Sequence, residues 1–349
     1  MLKPKYVPVS VGLELTLECN MRCMHCGSYA GNLRSDELTT KELINLCEKF
    51  KKLKTKIIVF SGGEPLLRKD WYEIGLKIKR LGMDLSIITN GYNLDNEIVS
   101  KMKKLNPYAV AISLDAGTPE IHDSIRRIEG SFNKSLEGLE LLRANGIATT
   151  VVSTISKKNL KELPKIRDLL LDKGIAWQIQ IAIPIGRFPK DFLLSKQEYY
   201  SVSMFISSTS KKYSKKRLPI MGAHSLGYNS EVLRNTGLAP KWRGCQAGIN
   251  IIGIESNGGV KGCLSLPSKF IEDNIRNRDL IEIWNDPNMF SYNRNFNTEN
   301  LKNGCKDCKY GNICKGGCLT VSNALTNESH CNPYCQYLIE KEIFESITE

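Results

Sequence analysis

From residue 11 to about residue 190, apolar stretches of strand length alternate with longer amphipathic stretches of helical period. Six candidate strands stand out: "VGLELTL", "KIIVFS", "DLSIITN", "YAVAISLD", "ATTVVSTIS" and "WQIQIAIP". The helices between them carry their own end signals. Thr39 and Glu42 form a capping box before "KELINLCEKFKKL", and Gly146 and Gly174 stand where helices stop. Cys47 falls in register with Leu43 and Phe50 on the first helix and reads as core. Strands separated by helices imply a parallel sheet, and six such units predict an α/β fold built as a partial (β/α)6 TIM-like barrel. Functional residues are then expected just past the C-terminal ends of the strands.

Beyond residue 190 the regularity fades. Residues 191–240 read as polar helices and loops that bridge to a cysteine-rich C-terminal part. From Trp242 onward eight cysteines lie among Gly, Asn and Pro, without the apolar periodicity of an independent core, so metal is expected to stabilise this part. The predicted organisation is a barrel over 1–190, a bridge over 191–240, a cysteine-rich domain over 241–340 and a tail over 341–349.

Composition narrows the chemistry. The chain has 349 residues, and neither a long apolar run nor a signal-peptide core is present, which predicts a cytoplasmic protein without a membrane partner. Twelve cysteines in a reducing compartment favour metal ligation over disulfides. The net charge of +12 is spread over separated lysine groups (49–56, 101–104, 211–216), so nucleic acid is not the expected partner.

"LECNMRCMHCGSYAG" puts Cys19, Cys23 and Cys26 directly after the first strand. A zinc site would add His25 as the fourth ligand, whereas a cubane cluster held by three cysteines leaves one iron open. His25 is the neighbour of Cys26, so ligation by both is strained. After the second strand, "FSGGEP" offers Gly62, Gly63 and Glu64, a close backbone approach with one carboxylate suited to an ammonium group. Asn90 follows the third strand, and Ser113 and Asp115 follow the fourth. His122 and Asp123 read as capping residues of the next helix.

Together, CxxxCxxC, GGEP and "SLDAGTPEIHDSIRR" resemble the radical S-adenosylmethionine superfamily. The resemblance implies a 4Fe-4S cluster on Cys19, Cys23 and Cys26, whose open iron takes the amino and carboxylate groups of S-adenosylmethionine. Reductive cleavage to a 5′-deoxyadenosyl radical then allows hydrogen abstraction from substrate. It also implies that His25 lies near the adenine, that Gly62, Gly63 and Glu64 receive the methionine ammonium, and that Ser113 contacts the cofactor. Arg126, or Arg127 in its place, would pair with the carboxylate. Ile183 would approach adenine through its backbone, and Asn90 is either a cofactor contact or a turn cap.

The order Cys245, Gly258-x4-Cys263, CxxCx5CxxxC (Cys305, Cys308, Cys314, Cys318) and a final cysteine resembles the SPASM extension of these enzymes. By that resemblance Cys305, Cys308, Cys314 and Cys335 hold one auxiliary 4Fe-4S cluster, and Cys245, Cys263 and Cys318 hold another that is one cysteine short. Cys331 is a spare thiol, the missing ligand or a hydrogen-atom donor. Auxiliary clusters suit a net oxidation. The leading expectation is a radical oxidoreductase or maturase that cross-links or dehydrogenates a ribosomal peptide or protein side chain. The runner-up is a small-molecule dehydrogenase or decarboxylase of tetrapyrrole or aminocyclitol type, and the third reading is a non-catalytic zinc-binding module. About ten residues precede the first strand, so peptide recognition would require residues 191–240 or a separate leader-binding protein. An electron donor such as flavodoxin or ferredoxin is implied. Candidates for substrate chemistry are Cys331, Glu255, Tyr228 and His224, with Glu231 beside them in "MGAHSLGYNSE".

Overall fold

The computed structural model describes residues 6–223, 226, 228–237 and 242–348. All six anticipated strands form: β1 (Ser10–Thr16), β2 (Ile57–Gly62), β3 (Asp84–Thr89), β4 (Ala109–Ser113), β5 (Thr149–Ile155) and β6 (Ala176–Ile181). They pair in parallel in sequence order, with Leu13 opposite Phe60, Ile58 opposite Leu85 and Ile87 opposite Val110. Alternation of side chains sends Val110, Ile112, Val151 and Ile179 into an outer apolar layer beneath the helices. Polar side chains such as Ser61, Ser113, Thr154 and Gln178 face the interior cavity instead.

The covering helices are α1 (Thr40–Lys52), α2 (Trp71–Arg80), α3 (Asn96–Leu105), α4 (Pro119–Arg126), α5 (Ser131–Ala144) and α6 (Leu163–Leu170). The Thr39/Glu42 capping box is present on α1, and Cys47 is fully buried on that helix. Gly146 and Gly174 both take left-handed backbone at φ 70°, ending the turns after α5 and α6. Asp123 accepts from the amides of Gly130 and Phe132 and from the Ser131 hydroxyl, so it caps α5.

One expectation needs correction. Residues 191–240 are more than a bridge. A capping box of Ser195 and Glu198 starts α7 (Lys196–Lys212), whose Tyr199, Val202 and Ile206 are buried, and β7 (Ile220–Gly222) adds a parallel strand beside β6. The cysteine-rich part, expected to lack a core of its own, joins that of the barrel. Its strand β8 (Ile251–Ile254) pairs in parallel with β1, followed by antiparallel β9 (Gly259–Lys261) and β10 (Asp273–Asn274). The result is one open ten-stranded sheet, β10-β9-β8-β1-β2-β3-β4-β5-β6-β7. Ile252, Ile254, Val260, Ile283, Trp284 and Phe290 belong to the same apolar cluster as the barrel. These added strands are two to four residues long, too short for an alternation pattern to register.

The remaining helices are α8 (Leu280–Asn285), α9 (Ser291–Arg294), α10 (Gly311–Cys314), α11 (Leu319–Thr326) and α12 (Gln336–Thr348). Among the described residues no helix is long and apolar enough to cross a membrane.

Candidate active site

The loop after β1 is closed by backbone pairing. Cys19 N–H donates to Gly31 O and Gly31 N–H to Leu17 O, each at 2.9 Å. Each of the three sulfurs in this loop receives an N–H donor: Met21 N at 3.4 Å from Cys19 Sγ, Ala30 N at 3.3 Å from Cys26 Sγ, and Arg126 Nη1 at 3.7 Å from Cys23 Sγ. Donors of this kind suit thiolates, while burial pushes the Cys19 thiol up to about 11 and also raises Cys23. Three such sulfurs at one cavity wall are a donor set that fits iron, because a bound metal supplies the positive charge that burial withholds.

The cavity they line measures about 640 Å³ and reaches from the first cysteine loop to Cys318, Thr320 and Val321 in the cysteine-rich part. That volume lies in the range of small-molecule sites.

Gly62 and Gly63 line the cavity, but the reason for two glycines is packing as much as ligation. Gly63 N–H donates to Thr16 O and Glu64 N–H to Glu18 O, both at 2.8 Å. A Cβ on Gly63 would lie 2.1 Å from Glu18 O, so only glycine lets this loop touch the cysteine loop. Glu64 departs from expectation. Its carboxylate points inward, accepting from Leu66 N (3.2 Å), the Thr89 hydroxyl (2.8 Å) and Asn90 N (2.7 Å), and it is absent from the cavity wall. Burial outweighs these donors and pushes its acid up to about 7. It braces the β2 and β3 ends rather than offering a free carboxylate to an ammonium.

Asn90 lines the cavity while its side chain is engaged. Oδ1 accepts from Tyr92 N at 2.9 Å, the turn cap, and Nδ2 donates to Asn20 Oδ1 at 2.7 Å. Ser113 and Ile183 are also on the wall.

Fully buried Asp115 organises the middle of the site. Its Oδ2 lies 2.7 Å from His25 Nε2 and 2.6 Å from Arg126 Nη2, and its Oδ1 accepts from Thr154 N at 2.9 Å. Burial alone would raise its pKa, but Arg126 and then His25 outweigh it and hold the carboxyl well below the usual range. Asp115 N–H donates to His122 Nδ1, and burial followed by the Arg126 charge lowers His122 to about 4, so the ring stays neutral. Arg126, expected to meet a cofactor carboxylate, is thus already divided between Asp115 and Cys23. The adjacent Arg127 takes left-handed backbone at φ 59° as the C-cap of α4.

Residues missed in the sequence complete the wall. Arg187 donates to Cys23 O (Nε, 3.1 Å) and Ala30 O (Nη1, 2.7 Å), pinning the cysteine loop to the end of β6. Opposite, Arg34 donates to Glu14 Oε1 at 3.0 Å and lies 3.8 Å from Glu255, which pairs with buried Lys261 at 2.8 Å. Glu255, considered as a proton acceptor, is therefore an ion-paired wall residue. Glu14 had a signal, as a carboxylate within the apolar run "VGLELTL". Arg187, Arg34 and Lys261 had none, since a lone cation in a loop, or at the end of a strand as short as β9, reads as ordinary surface.

In the cysteine-rich part, Cys305, Cys308, Cys314 and Cys335 surround one small cavity, with burial pushing Cys314 and Cys335 up to about 12. The thiols of Cys245 and Cys318 are hydrogen-bonded to each other, and Cys263 lies near Cys318. Among the described residues no three His, Cys, Asp or Glu side chains come together as a site for a single metal ion. Cys331 accepts from Asn303 Nδ2 at 3.1 Å and neighbours Cys305 rather than lining either cavity.

Tyr228, a candidate for substrate chemistry, is buried between the two cysteine groups rather than lining the large cavity. Its hydroxyl oxygen accepts from Cys318 N (3.1 Å) and Asn332 Nδ2 (3.0 Å), and its ring borders the four-cysteine cavity. Glu231 pairs at the surface with Lys309 and the Tyr310 hydroxyl. His224 lies outside the described residues.

Comparison with known proteins agrees with this geometry. Residues 13–170 match the family model described as the Radical SAM superfamily, and residues 245–309 match SPASM, an iron-sulfur cluster-binding domain. The chain is 30% identical to an AdoMet-dependent heme synthase of Methanosarcina barkeri, over 97% of this chain and 99% of that one. It is 24% identical to the mycofactocin maturase MftC of Mycobacterium tuberculosis, over 90% of this chain and 79% of the relative. Among solved structures, Streptococcus suis SuiB bound to S-adenosylmethionine superposes with a TM-score of 0.74 at 16% identity, covering 95% of this chain and 78% of SuiB.

Proposed function

The chain belongs to the radical S-adenosylmethionine superfamily, with a SPASM iron-sulfur domain, and we propose that it oxidatively modifies a tetrapyrrole side chain, with propionate decarboxylation as the reaction. Cys19, Cys23 and Cys26 would hold the cluster that binds S-adenosylmethionine. Cys305, Cys308, Cys314 and Cys335 would hold one auxiliary cluster, and Cys245, Cys263 and Cys318 another. When bound, these groups supply one-electron chemistry and the 5′-deoxyadenosyl radical that takes a hydrogen atom. In our reading Gly62, Gly63, Asn90, Ser113, His25 and Ile183 shape the cofactor's part of the cavity. Arg34, Glu255, Lys261 and Thr320 shape the substrate's part.

The observation that carries the reading is the full-length match to a heme synthase, joined to one cavity that runs from the first cysteine loop to Cys318. Loss of one hydrogen atom, one electron and carbon dioxide from a propionate leaves a vinyl group, so the balance is a net oxidation. A reduced flavodoxin or ferredoxin would provide the initiating electron. The test is anaerobic incubation of reconstituted enzyme with S-adenosylmethionine, reductant and iron coproporphyrin deuterated on the propionate carbons. Deuterium in 5′-deoxyadenosine is expected, with a loss of about 46 mass units per unlabelled side chain, carbon dioxide plus two hydrogens, or about 47 where the abstracted hydrogen is deuterium. Neither label transfer nor mass loss would refute it.

A second reading, oxidation of a peptide side chain, draws on the mycofactocin maturase match. It takes precedence should a deuterated precursor peptide transfer label where the porphyrin does not.

A further inference from the structure

The guanidinium of Arg126 is almost inaccessible and is held at both ends. Nη2 lies 2.6 Å from Asp115 Oδ2, and Nη1 donates to Cys23 Sγ at 3.7 Å. Its Nε has no partner, so every hydrogen bond that fixes the guanidinium runs to the aspartate or to the sulfur. Asp115 is itself immobilised by Thr154 N and by His25 Nε2. Cys23, at 8% exposure, is buried enough for a charge-assisted donor to act with little screening.

We propose that Arg126, oriented by Asp115, is a positioning residue that raises the reduction potential of the cluster on Cys19, Cys23 and Cys26 by donating to the Cys23 sulfur. The proposal rests on the reading that these three cysteines ligate iron. Reduction adds negative charge to a site that already gathers three thiolates. A fixed cation at one sulfur stabilises the reduced state more than the oxidised one, and hydrogen bonds to ligand sulfurs are a recognised control of such potentials. His25 Nε2 shares Asp115 Oδ2 with Arg126 and so helps to fix the carboxylate that orients the guanidinium.

The test is an anaerobic redox titration of holoenzyme followed by electron paramagnetic resonance, without S-adenosylmethionine. The signal of the first cluster is isolated by subtracting the Cys19→Ala/Cys23→Ala/Cys26→Ala variant. If that variant keeps its full iron and all signals, the ligand reading fails independently of Arg126. With the ligands established, Arg126→Gln should shift the midpoint to lower potential, Arg126→Lys should shift it part of the way, and Asp115→Asn should also shift it, at unchanged iron content. Wild-type potential in iron-replete Arg126→Gln overturns the proposal, most directly if its affinity for S-adenosylmethionine falls instead. Should Arg126→Gln not retain iron, wild-type midpoints in both Arg126→Lys and Asp115→Asn overturn it equally.

Discussion

The first cysteine loop and the later cysteine groups solve opposite problems. The first loop hangs on a finished scaffold: β1 and β2 are paired through six registered residue pairs before it begins, and Arg187, Arg126 and Gly63 hold its backbone or sulfur from outside. Its sulfurs border a large cavity, so a ligand can enter. Residues 301–335 have little regular structure beyond α10 and α11, and four of their thiols face one small cavity. A site that must admit a reactant is fixed by the surrounding protein. A site that need only pass or store charge can let its metal do the fixing.

Metal depletion should separate the two most sharply. We expect the iron-depleted protein, or Cys335→Ala, to lose hydrogen-exchange protection throughout 301–335 while β1 to β6 stay protected. The free-energy scale is set by structural metal sites, on the order of 10 kcal/mol. Equal loss of protection in the barrel strands would show that the two regions form one metal-dependent unit.

The next largest effect belongs to the contact between loops. Gly63→Ala places a Cβ 2.1 Å from the Glu18 carbonyl, and neither backbone can give way without breaking the 2.8 Å bonds on each side. A loss of about 3 kcal/mol is expected in chemical denaturation, a large overpacking cost for one methyl. A substitution that spares stability but weakens S-adenosylmethionine binding would instead assign Gly63 to ligation alone.

Glu64 gives a smaller, pH-dependent effect. Glu64→Gln turns an amide donor toward groups that are themselves donors, costing about 1–3 kcal/mol at low pH. Because burial raises the folded acid to about 7 from 4.5, the native protein binds the extra proton across that interval. Its contribution is therefore complete below pH 4.5 and declines as pH rises toward 7. The stability advantage of wild type over Glu64→Gln, read from melting temperatures, should shrink from about pH 5 to about pH 7.5. A constant difference would mean that Glu64 is ionised throughout.

Long periodic elements were legible in the sequence, and so was chemistry carried by closely spaced residues. The six strands and the Thr39 capping box have local causes, and the cysteine groups are visible because thiols are rare and their spacing is short. What escaped notice depends on chain topology. "IIGI" pairs with β1 across more than 240 residues, and nothing within four residues announces that. Arg187 bonds to Cys23 and Ala30 across 164 and 157 residues. Glu64 shows a different limit. The motif correctly marks the loop, but the direction of its side chain depends on Thr89 and Asn90, whose distance from it only the fold determines.

The smallest expected effect tests whether surface ion pairs help to join the two regions. Arg276, from the cysteine-rich part, donates to both oxygens of Glu42 at the start of α1, at 2.6 and 3.1 Å. The Arg276 bonds, assisted by the Thr39 cap, lower the Glu42 carboxyl to about 2. A depressed carboxylate contributes fully above its unfolded value near 4.5, and the contribution fades as pH falls toward 2. Both partners are about one-third exposed, so solvent screening reduces the pair to less than about 1 kcal/mol. Arg276→Ala should therefore lower the melting temperature only slightly at about pH 7, less still in high salt, and by a diminishing amount below about pH 4.5. A loss several times larger would place the junction in this latch rather than in the β8–β1 pairing and the shared core. The barrel and the cysteine-rich part would then be less continuous than their common sheet implies.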